Sequence, residues 1–360
     1  MKKVFLILAI VISFLSASGQ TQVSNFLQSG VDDAETLLSA YFEPYAEGFG
    51  TSLNAGWYNS AKVHNTLGFD LTLTISASII PDVDKTFDIN ALALQKFELA
   101  DPTDHFAPTI AGENSLGPQL VYNELNPITS TPVEIASFES PKGTGFGYLP
   151  VPMLKAAVGL PLGTEIMGRY APSMTFLDDY EFSLWGIGVK HDLKQYLPFL
   201  KRLPVFHISA MGAYTDFRTT AVQNLQPFGN PLILTTIPFD NQELGFSAKG
   251  LTGSLLISAN LPVICFYGGI GFSNTVTSLE LTGNYPLSTI ETDPLSQHFG
   301  QVVLRDQDVL TDPIDIEIES NDGMRYSAGI RIKLALLTIH ADYTYGEYHV
   351  ASVGIGLSFR

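Results

Sequence analysis

Residues 325–345 read Arg325-Tyr326-Ser327-Ala328-Gly329-Ile330-Arg331-Ile332-Lys333-Leu334-Ala335-Leu336-Leu337-Thr338-Ile339-His340-Ala341-Asp342-Tyr343-Thr344-Tyr345. Tyr326, Ala328, Ile330, Ile332 and Leu334 alternate with Arg325, Ser327, Gly329, Arg331 and Lys333. Beyond Ala335-Leu336 the pattern resumes, with Leu337, Ile339, Ala341, Tyr343 and Tyr345 alternating with Thr338, His340, Asp342 and Thr344. Successive side chains of a strand point to opposite faces, so each half is a strand with one apolar and one polar face. The stretch Phe69, Leu71, Leu73, Ile75, Ala77 and Ile79 alternates in the same way with Asp70, Thr72, Thr74, Ser76 and Ser78. Such segments of about ten residues are the pattern of a transmembrane β-barrel, apolar toward lipid and polar toward the lumen. A soluble β-sandwich alternates too, but its strands are evenly spaced. Here the strands are long, the links alternate between very short and very long, and aromatics gather near strand ends as an interface girdle would.

Twelve strands are expected, near 50–59, 66–80, 86–97, 147–160, 163–171, 181–191, 203–218, 245–259, 262–277, 325–334, 336–345 and 347–359. An even count returns the last strand to the side where the first began. The short links Pro81–Lys85, Pro161-Leu162, Asn260-Leu261 and Ala335-Leu336 then share the periplasmic end, and the long links near 98–146, 219–244 and 278–324 share the outer end. Two of the long links, 98–146 and 278–324, have room for a further pair. The expected fold class is therefore all-β, a transmembrane antiparallel β-barrel of 12–14 strands with an N-terminal helix.

The first residues carry an export signal. Met1-Lys2-Lys3 is followed by the apolar run Val4 to Leu15 and by Ala17-Ser18-Gly19, which has the small-x-small form of a cleavage site. The run is too short for a membrane anchor, which takes about 20 apolar residues. No cysteine follows to carry a lipid. The expected location is the outer membrane of a gram-negative cell. The expected organisation is 1–19 signal peptide, 20–49 helical segment acting as a plug or mouth cover, and 50–360 barrel. The helix is expected because Val23, Phe26, Leu27, Gly30, Val31, Ala34, Leu37, Leu38, Tyr41, Phe42 and Tyr45 recur at helical spacing, with Pro44 marking its end. A shorter stretch, Asp192 to Arg202, mixes Leu, Tyr and Phe with Lys and Arg as an interfacial helix does.

Composition narrows the function. Charged residues are 15% of the 360, against about 25% in soluble domains, and 45% are hydrophobic, so the chain is not disordered. A net charge of −17 excludes nucleic acid as a partner, because phosphate binding needs clustered Lys and Arg. The single cysteine, Cys265, forms neither an internal disulfide nor a zinc site and falls on an inward position of its strand.

The C-terminus, Ser352-Val353-Gly354-Ile355-Gly356-Leu357-Ser358-Phe359, resembles the β-signal read by the outer-membrane barrel-assembly machinery, through Ser352, Gly354, Leu357 and Phe359. Arg360 follows the aromatic that normally ends such a signal. The resemblance implies that machinery as a partner, together with outer-membrane lipid. Gly56-Trp57-Tyr58-Asn59-Ser60-Ala61-Lys62 with Leu67-Gly68-Phe69-Asp70 resembles an uncharacterised β-barrel family of Bacteroidota, a domain of unknown function. So do Asp33-Ala34-Glu35-Thr36-Leu37-Leu38, Gly159-Leu160-Pro161-Leu162-Gly163-Thr164-Glu165 and Gly188-Val189-Lys190-His191-Asp192-Leu193. That family implies an outer-membrane barrel and no assigned activity. More distantly, a helix ahead of a barrel of this size is similar to the outer-membrane transporters of long-chain fatty acids, whose Asn-Pro-Ala hatch motif does not occur here.

No hydrolase elbow, metalloprotease helix, nucleotide loop or Cys-x-x-Cys pair is present, so neither an enzyme nor a cofactor or metal is expected. The candidate ligand-facing residues are Arg331, Lys333, His340, Asp342 and Ser352. A two-residue turn at Ala335-Leu336 places Arg331 opposite His340, and a three-residue turn at Tyr345-Gly346-Glu347 places His340 opposite Ser352. These groups share the inner face. Polar filling of the lumen and contact with a ligand are the two readings of them. The acidic run Asp306, Asp308, Asp312, Asp315, Glu317, Glu319 and Asp322 fits no EF-hand spacing and reads as a solvated loop. Two functions follow. One is passive transport of a small amphipathic or anionic molecule, which would then be the ligand. The other is a non-transport barrel that displays loops or scaffolds an envelope or secretion complex.

Overall fold

The computed structural model describes residues 26–27, 30–176, 180–227 and 230–359, so the expected signal peptide and Arg360 lie outside the described residues. Ten antiparallel strands close into a barrel. They are β1 (Phe69–Ile79), β2 (Tyr148–Leu160), β3 (Thr164–Phe176), β4 (Tyr180–Asp192), β5 (Phe206–Val222), β6 (Glu243–Asn260), β7 (Ile264–Thr282), β8 (Ile314–Leu334), β9 (Leu337–Tyr345) and β10 (His349–Phe359). Each pairs with its neighbour in the chain, and β1 closes on β10 with Phe69 opposite Phe359 and Ile79 opposite His349. Among the described residues no helix is long and apolar enough to cross a membrane. The strands do so, because Leu71, Ile187, Ile257, Phe266, Ile330, Ile339 and Ile355 all stand exposed on the outer surface. A surface that apolar is stable only against lipid. Tyr148, Trp185, Phe272, Tyr326 and Tyr345 form an exposed aromatic girdle toward one rim, and Phe69, Phe206 and Phe359 one toward the other.

The count of ten corrects the expected twelve to fourteen. Residues 50–53 complete a helix, and 54–67 run through the lumen without pairing with a strand. Residues 86–97 hold a three-residue strand and a 3₁₀ turn in a long link, pairing with Phe106–Pro108 and not with the wall. The two lost strands leave the parity even, so the short links at 161–163, 261–263 and 335–336 still share one rim, the turn end. Pro81–Lys85 belongs to the other rim, the loop end, because β1 pairs directly with β2. At the loop end the links 80–147, 223–242 and 283–313 fold into small sheets that cap the barrel. At the turn end Lys194–Tyr196 and Pro198–Lys201 make two short helical turns, with Tyr196 and Phe199 exposed beside Lys194, Lys201 and Arg202, the amphipathic arrangement of an interfacial link.

One long helix, α1 (Val31–Leu53), lies inside the barrel. It runs nine residues past Pro44, where the sequence pattern ends it. Pro44 cannot donate to the carbonyl four residues back. The loss is offset because Leu37, Leu38, Tyr41, Phe42, Tyr45, Phe49 and Leu53 keep one apolar stripe packed against the wall across the proline. Gly50 lets the helix approach, since a Cβ there would stand 2.7 Å from the Thr275 side chain on β7.

Candidate functional site

Among the described residues, buried charged and polar side chains converge in the lumen, and its two halves differ. In the loop half the wall is apolar inside. Leu149, Val151 and Met153 of β2, Phe182 and Leu184 of β4, Phe217 of β5 and Leu279 and Leu281 of β7 pack on α1. Phe49 stands 4.7 Å from the Phe217 ring and 5.5 Å from the Phe246 ring. The cap joins this core. Asp33 near the start of α1 accepts the backbone N–H groups of Gln95, Lys96 and Phe97 at 2.7, 2.8 and 3.0 Å. Tyr41 donates to the Lys142 carbonyl, and its own carbonyl accepts from Ile110. Tyr348, in the link between β9 and β10, donates to Asp84 at 2.8 Å. Burial and the nearby Glu47 and Asp84 push its hydroxyl far above the ordinary tyrosine range, so it stays a donor.

In the turn half the wall is polar inside, and its cations fasten the chain that leaves α1. The last carbonyls of a helix have no partner within it and carry its negative dipole end. Arg169 of β3 donates Nη1 to the Leu53 carbonyl at 2.7 Å and Nη2 to the Ala55 carbonyl, and lies 3.9 Å over the Trp57 ring. Arg325 of β8 donates to the Thr51 carbonyl and to Ser273. Lys155 of β2 donates to the Trp57 carbonyl at 3.0 Å and sits 3.7 Å from Asp70. Lys190 of β4 pairs with Glu165 of β3 at 2.9 Å and reaches the Ser60 carbonyl. Glu165 also accepts the backbone N–H of His64 and meets its Nδ1 at 2.7 Å, while Nε2 lies 3.1 Å from Ser358 Oγ. Carboxylate, imidazole and hydroxyl stand there in the order of a hydrolytic relay. Ser358 is only 2% exposed and its oxygen also receives Lys333, so the relay ends in packed protein and serves as a fastening. The chain leaves the lumen at the turn end, where Leu67 donates to the Gly159 carbonyl. A Cβ on Gly159 would stand 2.2 Å from the Asn65 carbonyl. A described pocket lies between plug and wall. The pocket among Asn54, Tyr58, Thr252, Ser254, Arg325 and Asp342 has about 20 Å³, room for roughly one water.

The five residues singled out from the sequence all face this lumen. Arg331 is opposite His340, and its Nη1 donates to Asn59 at 3.0 Å. Lys333 reaches Ser358 at 3.4 Å. Asp342 accepts from Tyr267 at 2.9 Å, and Ser352 lies 3.1 Å from Ser76. His340 is opposite Gly354, two residues from the expected Ser352, which instead faces Asp342. The link there is Gly346-Glu347-Tyr348, one residue later than expected, because Tyr348 turns inward to Asp84 and Tyr345 stays in β9. Cys265 is buried on the inner face. Arg169, Lys155, Lys190, Glu165, Asp70 and His64 were missed. The first five are isolated charges at inward positions of otherwise apolar or small-residue strands, which is a readable signal once the parity of each strand is known. In the acidic run, Asp308 pairs with Arg305, Asp306 accepts from Thr235 and Asp312 from the Gly283 backbone, while Asp315, Glu317 and Glu319 are exposed on β8 above the apolar belt. The Asp322 side chain lies outside the described residues.

The match to a family of unknown function, DUF6588, extends over residues 1–359. The chain belongs to this family. Like the stretches quoted above, its barrel, luminal helix and turn-half cations therefore describe a DUF6588 protein. No curated protein matches the chain. Among solved structures it is similar to the translocator domain of the autotransporter NalP from Neisseria meningitidis, at 10% identity over 89% of this chain and 99% of that one, with a TM-score of 0.30. It is also similar to Ail, the attachment invasion locus protein of Yersinia pestis, at 9% identity over 82% and 99%, with a TM-score of 0.23. The KdgM porin is similar at 10% identity over 58% and 92%, with a TM-score of 0.23. At these identities and scores the likeness concerns the barrel fold and says nothing of function.

Proposed function

We propose that this protein is an outer-membrane barrel sealed by its own N-terminal segment, and that it works through the cap at its loop end as a surface-display or envelope-scaffold protein. In this reading a signal peptide exports the chain. The turn end faces the periplasm and the cap faces outward. The assembly machinery engages the terminal strand through Ser352, Gly354, Leu357 and Phe359, and outer-membrane lipid covers the belt. No enzymatic step belongs to it. The observation that carries it is the occupation of the lumen by residues 31–67 from rim to rim, with cations of the wall on their carbonyls. Passive transport of a small amphipathic or anionic molecule has less support. The inward cations that would attract an anion, Arg331 and Lys333, are engaged by Asn59 and Ser358.

The test is electrical. The purified full-length protein in a planar lipid bilayer is expected to stay non-conducting, and a variant lacking residues 31–63 to open steps of steady conductance. Steady conductance by the intact protein would overturn the sealed reading and restore transport.

A further inference from the structure

We infer that the outer wall binds one acyl chain of a lipid from the loop-side leaflet, in a groove across the seam where β1 closes on β10. Lipid on the belt already belongs to the function proposed above, and the name of the leaflet rests on the orientation given there; the groove does not depend on it. The groove has about 430 Å³. Its walls are aliphatic side chains of four strands, among them Ile75 of β1, Ile330 of β8, Ile339 and Ala341 of β9, and Val353 and Ile355 of β10. Small-molecule sites have roughly 300–1,000 Å³. His340 also borders the groove, and its ring turns inward, with Nε2 3.5 Å from Thr74 Oγ1. The groove is continuous with the belt that already faces hydrocarbon, so an apolar chain is the occupant that fits it.

The register explains both the groove and its direction. Outward residues of paired strands stand side by side in rows across the wall. Ile330, Ala341, Val353 and Ile75 make one row, and the Ala341 methyl is its floor between two branched side chains. On the turn side come Ile332, Ile339, Ile355 and Leu73, and then four leucines, Leu334, Leu337, Leu357 and Leu71. Those bulky rows close the groove toward the turn end. On the loop side come Ala328, Tyr343, Ala351 and Ala77. Three methyls beside one ring leave a track open toward the loop end. From Ala341 to Tyr345 at the aromatic rim the strand rises about 13 Å, at roughly 3.3 Å per residue. Half of the hydrocarbon layer is about 15 Å. A chain descending from the loop-side leaflet therefore follows the track and ends over Ala341. In the groove it is touched on three sides, where a smooth wall touches it on one, so it gains more dispersion contacts. Its polar end meets the rim, where the Tyr343 hydroxyl lies 2.9 Å from His349 Nδ1 and the Tyr345 ring 4.8 Å from the His349 ring. Amphipathic rings of this kind sit at headgroup level. With the cap outward, the leaflet is the outer one, and the chain belongs to its acylated glycolipid.

The experiment extracts the full chain from outer membranes in a mild detergent and reads the retained lipid by native mass spectrometry. The unaltered protein is expected to keep one glycolipid per chain. Ala341→Phe fills the floor of the groove and is expected to lower that retention at least roughly tenfold. Ile187→Phe on β4, across the barrel from the seam, adds a ring to the same apolar belt and is expected to retain lipid as the unaltered protein does. Heat-modifiable migration on gels checks that both variants form the barrel. An unaltered protein that keeps no lipid, equal retention by Ala341→Phe, or an equal loss in Ile187→Phe would overturn the inference. Retention of a phospholipid in place of the glycolipid, again lost in Ala341→Phe, would put the loop end on the periplasmic side: the orientation proposed above then fails and the acyl site stands.

Discussion

The two halves of the lumen hold the same segment by opposite means. In the loop half, Phe49 and its neighbours on α1 lie in an apolar core that continues into the cap. In the turn half, the extended chain from Asn54 to His64 is held by Arg169, Lys155, Lys190 and Arg331 acting on carbonyls and on Asn59. The outer surface is apolar where it meets lipid, but beside the upper part of the loop-half core Glu280, Asp315, Glu317 and Glu319 stand exposed, so the apolar interior there continues above the belt with the helix. A helix satisfies its own backbone and needs only an apolar fit. An extended strand with no sheet partner needs donors from outside, since an unpaired buried carbonyl is costly. Where the helix ends, the wall changes from apolar to cationic.

Substitutions in the two halves test this contrast. The largest effect is expected from Phe49→Ala, which empties an aromatic site in the loop half and should cost about 3–5 kcal/mol in denaturant unfolding of the refolded barrel. Amide exchange at 54–64 should stay slow in that variant, and a uniform speeding would show that the halves are one unit. Lys190→Met leaves the Glu165 carboxylate buried with His64 alone, and a loss of about 3 kcal/mol is expected. Adding Glu165→Leu should recover part of it, because the uncompensated charge is then removed. A double variant weaker than either single one would mean that the pair contributes net stability.

A filled lumen also changes what the two faces of β9 tolerate. Ile339→Arg places a charge in lipid and should cost about 2–4 kcal/mol near the midplane. An open lumen would accept Thr338→Arg freely. Thr338 is fully buried beside Gly356, so that substitution is expected to cost about 1–3 kcal/mol through overpacking. A neutral result for Thr338→Arg would open the turn half again to a transport reading. The smallest effect is expected from Lys333→Gln at the rim. Lys333 is only half-buried and makes a long bond to Ser358, and less than about 1 kcal/mol should be lost with no new conductance.

What the chain spelled by itself is the wall. Alternation at 69–79 and 325–345 determined which residues meet lipid and which meet the lumen, because the side-chain period of a strand is set by local covalent geometry. It also placed Arg331, Lys333, His340, Asp342 and Ser352 on the inner face. The helical stripe from Val31 to Tyr45 marked the element that enters the barrel. Only the tertiary structure decided the number of strands and the fate of the lumen. Gly50 to Asn59 read as a strand, yet Leu53 completes the buried stripe of α1, and the residues after it find donors in Arg169 and Lys155 that lie about a hundred residues away. Pro44 ends a helix in water and not inside a packed barrel, where contacts on both sides outweigh one missing hydrogen bond. Facing is a property of neighbouring residues, and so it is legible in sequence. Closure, threading and the partners of buried charges depend on which distant strands meet, and that is settled only when the barrel closes around its own N-terminal segment.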